Sequence, residues 1–266
     1  MSPAVLAAVV ALLAAPPPNA PLPGDADGIA RALTERTEAL QLGIDDWRRA
    51  GGPLPAEVEL DALYQQRLFI SLTRRPALAQ AVLQRLRGKL RREAAETVAA
   101  RNALVRLTPP TRRPLSSFRT GPPAPATSLV RWYRDAERRF GVGWHVLAAV
   151  NFVESAFGKL RSSSSSGAQG PMQFLPGTWR AYGLGGNVHN PRDAILGAAN
   201  YLRASGAPRD YRRALYAYNR STLYVDAVLR YANQMKRDVR MFYAYYAWQV
   251  WVRTPSGLTR LTGPGL

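Results

Sequence analysis

The stretch AAVNFVESAFGKLRSSSSSGAQGPMQF, residues 148–174, joins an apolar run to a serine- and glycine-rich loop. The apolar run is typical of a buried helix, and Glu154 stands near its end. Leu147, Val150 and Val153 precede the glutamate at helical spacing. We therefore predict that Glu154 lies at the margin of a face that packs inward. Apolar surroundings disfavour the charged form of a carboxyl and raise its pKa, which suits a general acid. The alternative is a solvated glutamate at a helix end.

Composition indicates a folded, strongly basic protein. The chain has 266 residues, of which 47% are hydrophobic, and 36 Lys and Arg side chains against 18 Asp and Glu give a net charge of +18. Such a surface concentrates polyanions, so nucleic acid, anionic lipid and an acidic cell-wall polymer are all candidate partners. The absence of cysteine from the sequence excludes disulfides and thiolate metal sites.

Residues 1–26 resemble a leader. The apolar run Ala4–Ala15 is too short to span a bilayer, but it has the length of the h-region of a secretory signal, and a proline-rich stretch follows it. A charged n-region and a clear cleavage site are missing. We expect export to the cell envelope or the extracellular space. A short membrane anchor and a misplaced start codon are the alternatives.

The pattern of the remaining chain predicts a mainly α-helical protein. Residues 27–107 show helical periodicity, divided by prolines and glycines near residues 51–57 and at Pro76, which indicates a helical hairpin or small bundle. This accessory domain lacks histidines and glycine-rich loops, so we interpret it as a packing or docking module. Residues 108–126 are rich in proline and read as a linker. We assign residues 127–240 to a catalytic domain and residues 241–266 to an aromatic C-terminal extension.

The sequence also predicts where several helices and a hairpin of the second half begin and end. Asn190 as N-cap, Pro191 at the first helical position and Asp193 in the first turn mark the start of one helix. The alternating large residues around Thr254–Gly257 predict a terminal β-hairpin, and its aromatic cluster is interpreted as a hydrophobic cover. The other predicted helices cover residues 127–140, 143–156, 176–182, 209–219 and 221–240.

Four motifs in order carry a resemblance to a known family. ES at 154–155 is followed by SSSGAQGPMQFLPGTW at 164–179, DAILGAANYL at 193–202 and ALYAYN at 214–219. Residues 127–235 thereby resemble the catalytic domain of the lytic transglycosylases, in the lysozyme-like superfamily. The resemblance implies a lysozyme-like helical fold. It also implies cleavage of peptidoglycan at the β-1,4 bond between N-acetylmuramic acid and N-acetylglucosamine, without water, to leave 1,6-anhydromuramoyl ends.

The same resemblance implies the site residues. Glu154 corresponds to the family's single catalytic acid, which later acts as base. Tyr218 and Asn219 match the tyrosine–asparagine pair that reaches toward the acetamido group of the substrate, and by this resemblance Tyr218 supports either Glu154 or that acetamido group. Two departures are that Arg220 and Ser221 replace the commoner Ala-Gly after Asn219, and that residues 183–190 lack the acidic calcium-binding pattern of some relatives, so we expect neither metal nor cofactor. Residues expected to wall the sugar site are Ser166, Gly167, Ala168, Met172, Gln173 and Phe174.

The small number of available carboxylates favours a mechanism with a single catalytic acid. An ordinary glycosidase needs two carboxylates. Apart from Glu154, the acidic residues between 126 and 266 are interpreted as helix caps, turn residues or residues flanked by arginines, so no obvious second carboxylate remains. Alternatives are a lysozyme-like hydrolase in which Asp193 or Asp210 orients water, and a silent peptidoglycan-binding scaffold. We do not expect nucleic acid as the partner. Cell-wall or division proteins are candidate partners of the first half, and so is an anionic membrane surface.

Overall fold

The computed structural model describes residues 14–266, so nearly all of the apolar run Ala4–Ala15 lies outside the described residues. The described chain is mainly helical and ends in a small antiparallel hairpin, which confirms the predicted fold class. It forms two compact units, one that runs to Ala95 and includes Gly263–Leu266, and one that comprises Glu96–Thr262. The domain limits drawn from the sequence stay predictions. Among residues 14–266 no helix is both long and apolar enough to cross a membrane.

The first unit is built on a helical hairpin. The first helix packs along the second and the third, and its buried face carries Ile29, Leu33 and Ile44. A buried ion pair joins the hairpin, with 3.2 Å between Arg36 Nη1 and Asp61 Oδ1. Burial raises the pKa of Asp61 to about 6, although the Arg36 charge opposes this. The helices of this part are α1 (Ala26–Ala50), α2 (Ala56–Leu72), α3 (Pro76–Arg85) and α4 (Gly88–Leu107), of which α4 belongs to the second unit from Glu96 on.

The second unit is a cluster of short helices around α6. Helix α6 packs against α10, α5 and α8, and its residues Val146–Val150 are almost completely buried. Asn190 caps α8 through its side chain, which accepts from the N–H groups of Arg192 and Asp193, as the sequence predicts. The elements are α5 (Ala126–Phe140), α6 (Trp144–Ser155), α7 (Pro176–Tyr182), α8 (Pro191–Ala204), α9 (Tyr211–Tyr218), α10 (Thr222–Arg237), α11 (Arg240–Ala247), β1 (Trp251–Thr254) and β2 (Gly257–Arg260).

Residues 108–125 form a strap across the segment that follows α6. Thr120 and Leu160 form an isolated antiparallel bridge, with hydrogen bonds of 3.0 Å from Gly121 N to Lys159 O and 2.8 Å from Arg161 N to Arg119 O. Farther along, the Tyr246 hydroxyl donates to Ala124 O. The sequence predicts an irregular linker here, and the backbone is indeed irregular apart from one 3-10 turn at Leu115–Ser117. Because proline has no N–H to donate, the backbone donors of the strap all come from the non-proline residues between its prolines.

The aromatic tail is partly a helix. The predicted hairpin is present, since Trp251 pairs with Arg260 and Thr254 with Gly257. The residues before it form α11, however, and every residue from 241 to 250 is buried. Every side of this segment is buried, so large apolar residues occur at all positions. Their spacing therefore does not distinguish a strand from a helix. Lys159 Nζ holds the end of α11 by donating to Tyr246 O at 2.7 Å and Trp248 O at 2.6 Å.

Candidate active site

Helix α6 carries Glu154 at its penultimate position, one residue before its end. The helix ends because Ala156, Phe157 and Gly158 all adopt left-handed backbone angles, with φ of 50°, 63° and 86°. Such angles cost of order 1–3 kcal/mol for a residue with a side chain, and they cluster at functional sites. Packing of the Phe157 ring offsets part of this cost, since it is buried and stacks on Phe152 with ring centroids 5.6 Å apart.

Ser155 ties the end of α6 to the glycine-rich loop. Its Oγ donates to Pro171 O at 2.5 Å and accepts from Gly158 N at 2.8 Å. The residue is almost fully buried, so both bonds are shielded from water. The serine of the ES pair therefore fixes the loop against the helix turn that carries Glu154.

The glycine-rich loop is a compact structure closed on itself. Gln169 and Phe174 pair through two backbone hydrogen bonds of 2.9 and 2.8 Å. Gly170 has a φ of +72°, and a Cβ there would collide with the carbonyl of Val188. Only glycine meets both conditions. Gln173 also has a positive φ, and its side-chain amide donates to Gly170 O at 2.9 Å, so this amide is folded onto its own loop.

The carboxyl of Glu154 is half-buried and held by one tyrosine. The Tyr224 hydroxyl donates to Glu154 Oε1 at 2.7 Å, and Tyr224 itself is 1% exposed. Burial raises the pKa of Glu154 to about 7, although the Tyr224 hydrogen bond opposes this rise. A carboxyl of this kind is present in both protonation states near neutral pH, as a group that gives and then takes back a proton must be.

Four tyrosine rings extend from Glu154 and are called the tyrosine row below. Tyr224 and Tyr218 lie parallel, with centroids 6.5 Å apart, Tyr201 follows at 5.5 Å from Tyr218, and Tyr182 lies 4.7 Å from Tyr201. Burial and the nearby Glu154 raise the pKa of both Tyr218 and Tyr224, so these hydroxyls remain donors. Tyr224 is buried, whereas the other three rings of the row are half-buried.

The Tyr218 hydroxyl is not the group that hydrogen-bonds to Glu154. The prediction gave it the role of supporting either Glu154 or the acetamido group, but its hydroxyl donates to Met172 O at 2.7 Å. Tyr224 makes the contact with Glu154, and sequence reasoning missed it. The available signal was its place on the buried face of α10, two positions after Thr222.

The predicted wall residues differ in how they face solvent. Met172 is fully buried and Phe174 is 3% exposed, so their side chains support the loop from behind. The ring of Phe174 packs against Tyr218 and Trp179. The remaining predicted residues have at least some accessible surface: Ser166 is exposed, Gly167, Gln173, Tyr218 and Asn219 are half-buried, and Ala168 is 8% exposed.

The other carboxyl groups between residues 126 and 266 are engaged locally. Burial and Tyr224 alone account for the shifted pKa of Glu154, so no second carboxylate among the described residues acts on it. Asp135 pairs with Arg138, Glu137 with Arg134, Asp226 with Arg212 and Asp238 with Arg240, while Asp193 and Asp210 accept from the backbone N–H groups of Asn187 and Arg213.

Trp144 and His145 lie in the first turn of α6. Burial lowers the pKa of His145 to about 4, and its neighbours are Trp144 and charged groups of α5 and α10. Trp144 is 6% exposed and therefore belongs to the core. In the part of the chain that the structure describes, no three His, Asp or Glu side chains are grouped so that they could hold a metal ion.

Comparison with known families agrees with this geometry. Residues 132–240 match the family described as the transglycosylase SLT domain, so this part of the chain is an SLT-type domain. The matched range contains Glu154, the glycine-rich loop and Tyr224. In general terms the match indicates a lytic transglycosylase that acts on peptidoglycan. No curated protein and no solved structure matches the chain significantly.

Proposed function

We propose that the protein cleaves the β-1,4 bond between N-acetylmuramic acid and N-acetylglucosamine without water, with Glu154 as acid and then as base. The observation that carries this proposal is the half-buried carboxyl of Glu154, with a pKa of about 7 and a hydrogen bond from Tyr224. One group with these properties serves both proton transfers. The products are strands that end in 1,6-anhydromuramic acid.

The first step breaks the glycosidic bond. Protonated Glu154 gives its proton to the bridging oxygen, the bond from C1 to that oxygen breaks, and N-acetylglucosamine leaves with a free hydroxyl. The acetamido oxygen of the muramic acid stabilises the positive charge at C1. Asn219, half-buried after the end of α9, is the residue proposed to hold that acetamido group. Tyr224 favours this step because a hydrogen bond to a carboxylate is stronger than one to a neutral carboxyl.

The second step closes the sugar on itself. The Glu154 carboxylate takes the proton of the C6 hydroxyl, and O6 bonds to C1. Glu154 returns to its protonated form, so the cycle consumes neither water nor a second carboxylate. A pKa near 7 suits both steps, since neither protonation state is strongly favoured at neutral pH.

The other carboxyl groups of this part of the chain already have hydrogen-bond or ion-pair partners, which supports this route over hydrolysis. The two carboxyls considered as water-orienting groups are Asp193 and Asp210. Asp210 accepts the N–H of Arg213 and caps α9, so freeing it would leave a helix N-terminus without its acceptor. Asp193 accepts the N–H of Asn187 and so holds the loop before α8. The hydrolytic alternative therefore has less support than the one-acid route.

The proposed substrate site includes the surface beside Glu154. The exposed and half-buried loop residues Ser166, Gly167 and Gln173 contact the glycan, and Met172 and Phe174 support them from behind. We also propose that the protein works in the cell envelope or outside the cell, because peptidoglycan lies there. Cell-wall or division proteins and an anionic membrane surface remain proposed partners of the first unit.

Digestion of purified sacculi tests the reaction and the residue together. The wild type should release fragments with anhydro ends, identified by their mass, whereas Glu154→Gln should release none. The matched control is Asp226→Asn, which removes a carboxyl that pairs on the surface with Arg212, and it should keep its activity. Reducing ends from the wild type would establish hydrolysis, and fragments from Glu154→Gln would exclude that residue as the acid.

A further inference from the structure

The outer end of the tyrosine row lies beside a basic side chain. The Tyr201 hydroxyl donates to Ala217 O at 2.7 Å, which brings its ring close to the end of α9. Asn219 and Arg220 follow directly after that helix. Tyr182 completes this end of the row, and Asn200 Nδ2 holds its backbone by donating to Tyr182 O at 3.1 Å.

Arg220 is exposed and has no hydrogen bond or ion pair within residues 14–266. Arg212, at the start of α9, differs because it is paired with Asp226. Burial and Tyr182 raise the pKa of Tyr201, and the positive charge of Arg220 opposes that rise.

The chemistry of this group fits a carboxylate next to a sugar. A guanidinium presents a planar fork of donors that matches a carboxylate, and a tyrosine offers an apolar ring with a polar tip. The Tyr182 hydroxyl makes no hydrogen bond within the described residues, so it is available as a further donor. We propose that Arg220, with Tyr182 and Tyr201, forms a subsite for a carboxylate carried by the glycan strand. This subsite rests on the proposed function.

Peptidoglycan offers that carboxylate from two sources. A muramic acid without a peptide has a free lactyl carboxylate, and one with a peptide stem carries the carboxylates of the stem. Chitin oligosaccharides have the same acetylated sugars and neither carboxylate. Three ligands therefore separate the sources: strands with stems, strands freed of stems, and chitin oligosaccharides.

Binding to protein that also carries Glu154→Gln measures the subsite without turnover. Arg220→Ala should weaken binding of carboxylate-bearing strands about 5-fold, as expected for one partly exposed charge-assisted pair, and leave chitin oligosaccharides unchanged. Arg220→Lys should restore part of the loss because it keeps the charge without the fork. The matched control is Arg131→Ala, which removes an exposed arginine of α5 that pairs with no group in the described chain, and it should bind like the parent.

The pattern across ligands decides the proposal. A loss confined to strands with stems assigns the carboxylate to the stem, and a loss confined to stem-free strands assigns it to the lactyl group. An equal loss for all three ligands, an equal loss in Arg131→Ala, or no loss would overturn the subsite. Failure of the proposed function is visible separately, because the wild type would then release no anhydro-ended fragments from sacculi.

Discussion

Replacing Glu154 with glutamine should stabilise the protein at alkaline pH. The folded environment raises the pKa of this carboxyl from 4.5 to about 7, so the folded state holds the proton more tightly than the unfolded chain does. The wild type keeps its full stability below about pH 4.5 and loses stability as the pH rises through about 7. Glutamine has nearly the same shape and never ionises, so the variant does not lose this stability.

The size of the effect follows from the two pKa values. At about 1.4 kcal/mol for each pKa unit, the ionised carboxyl costs the folded protein about 3 kcal/mol above pH 7. The advantage of Glu154→Gln should therefore be close to 1 kcal/mol at about pH 5 and about 3 kcal/mol at about pH 8. In a unit of this size about 3 kcal/mol corresponds to about 6–12 °C in Tm.

Denaturant titrations of both proteins across this pH range measure the difference in unfolding free energy. Asp226→Asn is the control, because a surface ion pair such as that with Arg212 contributes less than about 1 kcal/mol. An advantage of Glu154→Gln that stays constant between about pH 5 and about pH 8 would refute the reasoning. Glu154 would then ionise as readily in the fold as in the unfolded chain, and its proposed role as an acid would lose its basis.

Three further substitutions test the surroundings of Glu154. Tyr224→Phe removes the hydrogen bond that lowers the Glu154 pKa, so this pKa should rise by about one to two units, and the alkaline limit of activity should move to higher pH while the rate falls. Gly170→Ala should destabilise the protein by more than about 2 kcal/mol in thermal melts, because the loop needs a positive φ and has no room for a Cβ. Lys159→Met should cost about 2–4 kcal/mol in denaturant titrations, since two buried carbonyls lose their donor.

Each of these has a matched comparison. Tyr218→Phe removes a hydroxyl that donates to Met172 O instead of Glu154, so the alkaline limit should move less than in Tyr224→Phe, and equal movement would contradict the assignment of Tyr224. Gly167→Ala places a side chain where the φ is also positive but the space is open, so it should cost less than Gly170→Ala. Lys236, an exposed lysine of α10, provides the control for lost charge, and Lys236→Met should cost far less than Lys159→Met.

Helix positions could be predicted wherever local chemistry determines them. Pro176 and Asn190 mark helix starts that the structure reproduces, because a first-turn proline and a side-chain cap act within a few residues. The break between α3 and α4 could not be predicted in this way. The helical spacing of apolar residues that begins after Pro76 continues through Leu86, although α3 ends at Arg85 and α4 starts at Gly88. Such spacing shows which residues are buried, and buried residues continue across the break.

The candidate site could be predicted only where its residues form contiguous motifs. Glu154 and the loop after it are consecutive in sequence, and the resemblance supplied Tyr218 and Asn219. Tyr224 was missed because its partner lies 70 residues earlier, and no local pattern reports a contact at that distance. Met172 was assigned to the wall by motif alone, and only packing reveals that its side chain is fully buried.

The strap bears on how this protein can be shortened. Residues 108–125 precede the matched range 132–240, yet they hydrogen-bond to Lys159, Arg161 and Ser162, just beyond the turn that ends α6. In a fragment trimmed to the matched range, those groups would lose their hydrogen-bond partners in the strap. The Tyr246 hydroxyl would also lose its acceptor, the carbonyl of Ala124. The smallest excised piece that keeps the Glu154 turn in its native shape should therefore start upstream of the prolines, near Glu96.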